Sequence, residues 1–403
     1  MMCKTWIAQK YFLIALFFLS LLMVGGHSAL AAAAEKNEAQ LPIAVHGDSG
    51  LSGKFYLSFV FDRTVILLDG KGNVVWSKHE EQKKPGGHNG FWDFKKTICD
   101  GKTYYSYHDA SSTDDNFGLL GYAPGERVIM DENFREIDRV RLTGTDTVKT
   151  GDPVDGHDFI MLAPGHYIMS SYRQAVVENI PGEAKPASVV YSYLQEVKDH
   201  KVIWEWKSID YPELYALTTT DADASANDFA NAVTEAPDYM HFNSMQLTED
   251  GNLLCSFRHL NTVMKLDRRT GGILWKLSGN ADEFGLTPAQ KTSSQHYVRQ
   301  NADGYITAFD NGNASKSTRI VAYKLDEKNK EMTSFKSYAL SGKFSVACGS
   351  AQRIRNETYL IGWGWATKDN ECMCVYDFAA GKKLFSVTLK NPKNITYRCA
   401  YYE

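Results

Sequence analysis

The stretch 241–258, HFNSMQLTEDGNLLCSFR, begins with a histidine and ends with an arginine. Between them an alternating run, a Glu-Asp-Gly-Asn turn and a second run read as a β-hairpin. A hairpin returns to the edge from which it started, so His241 and Arg258 are expected as neighbours. Two more histidines, His157 and His296, open stretches of the same pattern, HDFIMLAPGHYIMSSYR (157–173) and HYVRQNADGYITAFD (296–310). Arg173 holds the place in the first of these that Arg258 holds in its own. One histidine at the head of a strand is ordinarily a structural hydrogen-bonding residue, but three at equivalent places in a repeat ask for another explanation. Near neutral pH an imidazole serves as a neutral nucleophile or as a charged donor, and a guanidinium offers a planar fork of donors. Together they suit an anion with several oxygens. Three imidazoles would also suit zinc, but the fixed cation of Arg258 beside them repels a metal. The residue types leave open which histidine would be a nucleophile. Asn243 lies two residues after His241, on the same side of the strand, and is expected to offer an amide N–H to the same site.

These side chains can meet only if the elements that carry them are arranged around a common axis, and the rest of the chain supplies that arrangement. Hairpins recur at 91–109, 157–173, 241–258, 295–311 and 350–365. Each is followed by a second pair of strands, at 127–142, 191–206, 262–277, 320–338 and 373–387, often ending the third strand on Asp and placing a Trp in the fourth. Antiparallel four-stranded units recurring at roughly 50–70 residues are the signature of propeller blades. Three strands near the N-terminus, KFYLSFV, TVILLD and NVVWSK, lack an innermost partner, and ITYRCAYY (395–402) is an orphan at the other end. The expectation is an all-β, six-bladed β-propeller over 41–403, with blades of four antiparallel strands, closed by N- and C-terminal strands that share one blade and leave no free edge. Innermost strands start at one rim of the central channel, so His157, His241 and His296, from three consecutive blades, are expected to converge there with Arg258. The long connections 207–240 and 279–294 run over the same rim, where they would wall the site.

The chain has 403 residues with a net charge of −4 and no basic cluster, which argues against a nucleic-acid partner. Its first 33 residues read as a secretory signal peptide: Lys4 and Lys10, the apolar run YFLIALFFLSLLMVGG, then SALAAAA with small residues at cleavage spacing. The protein is therefore expected to be exported, to the periplasm or beyond, with no stable membrane anchor. Beyond Cys3 there are six cysteines, Cys99, Cys255, Cys348, Cys372, Cys374 and Cys399. An even count in an exported chain permits disulfides. There is no C-x-x-C motif and no phosphate-binding loop. His79, His88, His166 and His200 fall in turns or polar loops and read as structural, as does Asp158; His108 and His259 lie nearer the rim. Trp76, Trp204 and Trp275 read as packing between blades.

The motifs resemble those of the bacterial arylsulfate sulfotransferases. The likeness is strongest in 157–312, in GHDF, in HFNSMQLTEDGNLLCSFRHLNTVMKLDRRTGGILWKLSG and in QHYVRQNADGYITAFDNGN. The resemblance implies a six-bladed propeller that moves a sulfuryl group from a phenolic sulfate ester to a phenol, without the nucleotide donor PAPS, through a transiently sulfated histidine. It implies His296 as nucleophile, His157, His241 and Arg258 as ligands of the sulfuryl oxygens, and no metal or other cofactor. Asn243 and Arg173 remain candidates for substrate binding from their positions. A metal-dependent propeller hydrolase and a non-enzymatic anion-binding propeller are the alternatives. Against better-known relatives the chain looks shorter, without their large N-terminal extension, so their mode of dimerisation is not expected to carry over and the oligomeric state is left open.

Overall fold

Several strands bury every side chain, on both faces: Leu253–Phe257, Ile306–Asp310 and Thr358–Gly362 are mostly apolar or small and fully covered, with the Asp310 carboxylate buried at the end of one. A strand with no solvent face belongs to a sheet stacked against another on each side, and that is how this chain folds. The computed structural model describes residues 41–81, 89–110, 121–219, 237–339, 342–366 and 369–403; Ala44–Glu403 forms one unit. It contains six antiparallel sheets in a ring.

In the first blade Lys54–Phe59, Asp62–Asp69 and Val74–His79 follow in order, and Cys399–Tyr402 is the innermost strand. Its register is Lys54 opposite Tyr402 through Leu57 opposite Cys399. The second blade comprises Phe91–Cys99, Lys102–Asp109, Pro124–Met130 and Glu136–Val140, and the third Phe159–Ala163, His166–Val177, Ala187–Lys198 and Lys201–Lys207. Phe242–Leu247, Leu253–Phe257, Thr262–Leu266 and Ile273–Leu277 make the fourth, and His296–Gln300, Ile306–Asp310, Arg319–Asp326 and Glu331–Ala339 the fifth. The sixth is built from Ser350–Arg355, Thr358–Gly362, Glu371–Asp377 and Lys382–Leu389, with a further strand at its outer edge.

The core lies between blades. Met169, Tyr193 and Trp206 of the third pack in one cluster with Met245, Leu253 and Phe257 of the fourth, each such side chain contributing about 1.5–3 kcal/mol by leaving water. Trp76 stacks on Phe134 of the next blade with ring centroids 4.4 Å apart, as expected of an inter-blade residue.

Two expectations are corrected. The C-terminal strand is shorter than 395–402: only its last part enters the ladder, while Ile395 and Tyr397 use their carbonyls to accept from Val60 and Gly349 at 2.9 and 2.8 Å. These cross-links to two different blades pull residues 395–398 out of strand geometry. The six cysteines are all free thiols, so no disulfide forms among the described residues. Cys372 and Cys374 lie on one strand, where side chains two apart point the same way without meeting.

Inner strands open with β-bulges. Register shifts fall between Trp92 and Lys95, between Phe242 and Ser244, and between His296 and Arg299. Non-glycine residues there take positive φ: Asp93 at 49°, His241 at 53° and Tyr297 at 48°. A bulge re-aims a side chain at the cost of local strain, and here it does so at the channel end of three blades.

Gly53 gives the joint between chain ends its test. An added Cβ would lie 2.5 Å from both the Tyr401 ring and the Tyr402 carbonyl oxygen. Gly53→Ala should therefore destabilise the whole domain by about 1–3 kcal/mol, the range for overpacking, seen as a lower denaturant midpoint in a single transition. An early partial transition limited to the first blade would contradict this.

Candidate functional site

Each of the three histidines is held by its Nδ1. His157 stands two residues ahead of the third blade's inner strand, and its Nδ1 pairs with the Asp155 carboxylate, which also accepts the His157 backbone N–H at 2.9 Å. Asp155 is held there by a two-residue strand, Val154–Asp155, paired with Pro124 and Gly125 of the second blade. His241 repeats the device one blade on: Nδ1 lies 2.6 Å from Asp238 Oδ2 and the backbone N–H donates to Asp238 Oδ1 at 2.9 Å. His296 differs. Its Nδ1 faces the Ser294 carbonyl at 3.0 Å and the Asn311 side-chain oxygen at 2.7 Å. The Asn311 amide is oriented by its Nδ2, which donates to the carbonyls of Ser345 and Cys348. All these partners accept, so Nδ1 carries the proton in each ring and the lone pair of the neutral imidazole is on Nε2.

The rings of His157 and His241 meet edge to face with centroids 5.1 Å apart. Tyr397 lies beside both His157 and His296, with its ring 5.2 Å from the first and 6.3 Å from the second. Arg258 opens a short 3₁₀ turn directly after its strand, and its backbone N–H donates to the His241 carbonyl at 2.8 Å. Its charge acts on both His241 and His296. Thus His157, His241, His296 and Arg258 are gathered at one place, as the repeat pattern requires.

Burial holds His241 well below the ordinary imidazole range, reinforced by His157 and Arg258. Burial, then Arg258, does the same to His296, against the opposing pull of Asn311. Burial alone would raise Asp155, but His157 and the backbone N–H of Ala123 bring it below the usual carboxylate value. The site thus keeps two neutral imidazoles beside a fixed cation.

The remaining candidates divide. Asn243 is fully buried and donates from Nδ2 to the Gln295 carbonyl at 2.7 Å, so this N–H braces the residue before His296. Arg173 pairs with Asp152 at 2.6 Å. Both line a pocket of about 390 Å³ whose wall includes Tyr122, Asp155 and Tyr172. The Tyr172 ring lies 5.5 Å from both His157 and His241, so Arg173 stands in an annex of the histidine cluster. His259 stacks on His241 at 4.6 Å and its Nδ1 donates to the Asp238 carbonyl, while burial brings it down to about 3. His108 bonds the Ala123 carbonyl and His166 pairs with Glu196, both structural roles. His88 and much of the 207–240 connection, residues 220–236, lie outside the described residues.

Sequence reasoning missed the partners: Asp155, Asp238 and Asn311. The first two had a signal, an Asp two or three residues ahead of a histidine. It also missed Gly121, where a Cβ would lie 3.2 Å from His241 Cε1. Among the described residues Asp238, His241 and His259 are the group that could hold a metal, with ligand atoms within 4.8 Å of one another.

A propeller with a histidine–arginine cluster where three inner strands begin is the class that fold and site define. The chain belongs to the arylsulfotransferase (ASST) family, whose model matches residues 109–371. It is accordingly a sulfotransferase with a small-molecule donor and acceptor. No curated protein matches the sequence. Among solved structures, a protein of unknown function from Bacteroides caccae is 10% identical, with 88% of this chain and 100% of that one covered and a TM-score of 0.47. A virginiamycin B lyase from Staphylococcus aureus is 8% identical over 86% of this chain and 99% of its own, at a TM-score of 0.37. Likenesses this loose carry no argument about chemistry.

The depressed histidines have a measurable consequence. Exposed imidazoles titrate near about 6.5, so at pH 6 most are charged; His241 and His296 should remain neutral Nδ1–H tautomers in ¹⁵N spectra. Below about 6.5 the unfolded chain then binds more protons than the folded one, and the stability these two residues contribute, present above that pH, is lost as pH falls. Charged His296 at pH 6 would contradict the description.

Proposed function

We propose that the protein transfers a sulfuryl group from a phenolic sulfate ester to a phenol through an N-sulfated His296, without a nucleotide donor. The observation that carries this reading is the difference in imidazole partners. His157 and His241 bond carboxylates, which compensate a proton taken at Nε2 and make them charged donors when an anion arrives. His296 bonds neutral oxygens, so no carboxylate draws a second proton onto it, and burial and Arg258 outweigh the pull of Asn311 and keep its Nε2 lone pair available.

In the first half-reaction the Nε2 lone pair attacks sulfur, an N–S bond forms, and the S–O bond breaks with its electrons leaving as phenolate, which then takes a proton from water. The nitrogen cation formed is stabilised through Nδ1–H by Asn311 and Ser294. Negative charge on the three sulfuryl oxygens is met by Arg258, His157 and His241, fixed before reaction begins. In the second half-reaction the acceptor phenol loses its proton to water, its oxygen attacks sulfur, and the N–S bond breaks to restore the lone pair. The pocket beside Arg173, Tyr122 and Tyr172 supports a place for the aromatic ring. The apolar stretch after Lys10 supports export, so the reaction would run outside the cytoplasm on the N-terminally processed chain.

A chromogenic aryl sulfate with and without added phenol tests the reading. Kinetics should be ping-pong, and donor alone should leave a stoichiometric adduct on His296, stable under alkaline conditions and seen by mass spectrometry. His296→Ala should abolish adduct and phenol release. His157→Ala and His241→Ala should each lower the rate by about 10²–10³, as does loss of one oxyanion donor, and Arg258→Lys should be poorly tolerated. An adduct persisting in His296→Ala would overturn the assignment.

A second reading, metal-assisted hydrolysis, has the Asp238, His241 and His259 group in its favour. Metal analysis decides: the sulfohistidine reading expects turnover unchanged by a strong chelator, whereas loss restored by zinc would favour the hydrolase.

A further inference from the structure

The structure assigns Arg398 as a positioning residue of the histidine site, a role that rests on the sulfotransferase reading and carries it into the closing strand. Nothing in the hairpin pattern points to this residue, since it comes from the irregular stretch just before Cys399–Tyr402. Its guanidinium is buried, with the side chain 3% exposed, and works in two directions. Toward the site, Nη2 donates to the His157 carbonyl at 2.6 Å and to the Asn243 carbonyl at 3.1 Å. Those two carbonyls belong to different blades. The Tyr397 hydroxyl donates to the same Asn243 carbonyl at 2.9 Å. Away from the site, Nη1 lies 3.2 Å from Asp93 and 3.1 Å from Asp158.

The planar fork is what allows both tasks. One nitrogen is anchored on two carboxylates and the other fixes the backbone of His157 and of Asn243, two residues beyond His241. Asp93 and Asp158 are themselves held by Lys95 at 2.7 and 2.8 Å, by Arg127 at 2.9 Å to Asp93 and by Arg299 at 2.9 Å to Asp158. The anchor cannot drift without breaking several buried ion pairs. An ammonium at position 398 could keep the carboxylates or the carbonyls, but its point charge lacks the fork that reaches both. The spacing between His157 and the fourth-blade histidine would then relax. A misplacement of about 1 Å in such a site costs about 10²-fold in rate.

Arg398→Lys tests this against Arg127→Lys, which alters the same ion cluster at a residue that bonds Asp93 and Ser106, lies 5.0 Å over the Phe159 ring and donates to neither the His157 nor the Asn243 carbonyl. With aryl sulfate and phenol, Arg398→Lys should lose kcat by about 10–100-fold with KM changed less than about threefold, while Arg127→Lys keeps both near wild type. Without any turnover, the ¹⁵N imidazole resonances of His157 should move in Arg398→Lys and stay put in Arg127→Lys, with thermal midpoints checked for both. Equal effects of the two substitutions on kcat and on the His157 resonances would overturn the positioning role. If wild type shows no sulfuryl transfer yet Arg398→Lys alone displaces His157, the functional reading fails while the positioning contact stands.

Discussion

Six blades meet at an axis where two carboxylates, Asp93 and Asp158, are buried among four cations, Lys95, Arg127, Arg299 and Arg398. Burying charge is costly unless it is paired and hydrogen-bonded, and here each carboxylate is approached by three cations. Asp158 is driven well below the usual carboxylate range, against the effect of burial, by Arg398, Lys95 and Arg299. Within this cluster positive charge exceeds negative. An inner strand that shifted would leave one of these charges unpaired, so the cluster fixes the strands relative to one another as well as tying them down.

The site above it is a set of like parts made unlike by their partners. Three imidazoles begin three successive inner strands, but two lean on carboxylates and one on an amide and a carbonyl. In propellers, equivalent positions on neighbouring blades bring identical residues together at no cost in design; their roles must then be separated by what lies behind each ring. Arg258 favours the neutral imidazole of both His241 and His296. In the proposed mechanism one cation thereby serves both the attacking nitrogen and the charge that develops.

Much of this was legible in the residues. Hairpin repeats gave the blade count and the order of strands, and the shared place of His157, His241 and His296 located the rim. The resemblance then singled out His296, and the difference in second partners provides an independent reason for it. The bulges were not legible: Asp93, His241 and Tyr297 adopt positive φ through tertiary constraint, and no glycine marks them. Nor was the ion cluster, because Lys95 and Arg299 sit in alternating strands where a charged residue reads as facing solvent. The thiol state of the cysteines depends on blade geometry, which brings none of them into a bond, and parity of the count carries no such information.

The pairing of Lys54–Phe59 with Cys399–Tyr402 bears on how the protein comes into being. Gly53 and Tyr401, joined by a hydrogen bond of 2.9 Å, are 348 residues apart in the chain. A contact so distant in sequence forms late, since most of the loop it closes must be organised first. During vectorial synthesis the first blade waits, with one ladder of N–H and C=O groups open, until the final strand emerges. Tyr397 and Arg398 arrive in that same segment. Assembly of the ring and completion of the histidine cluster are therefore a single event, and a chain halted short of it would have five blades' worth of core and an unbraced cluster.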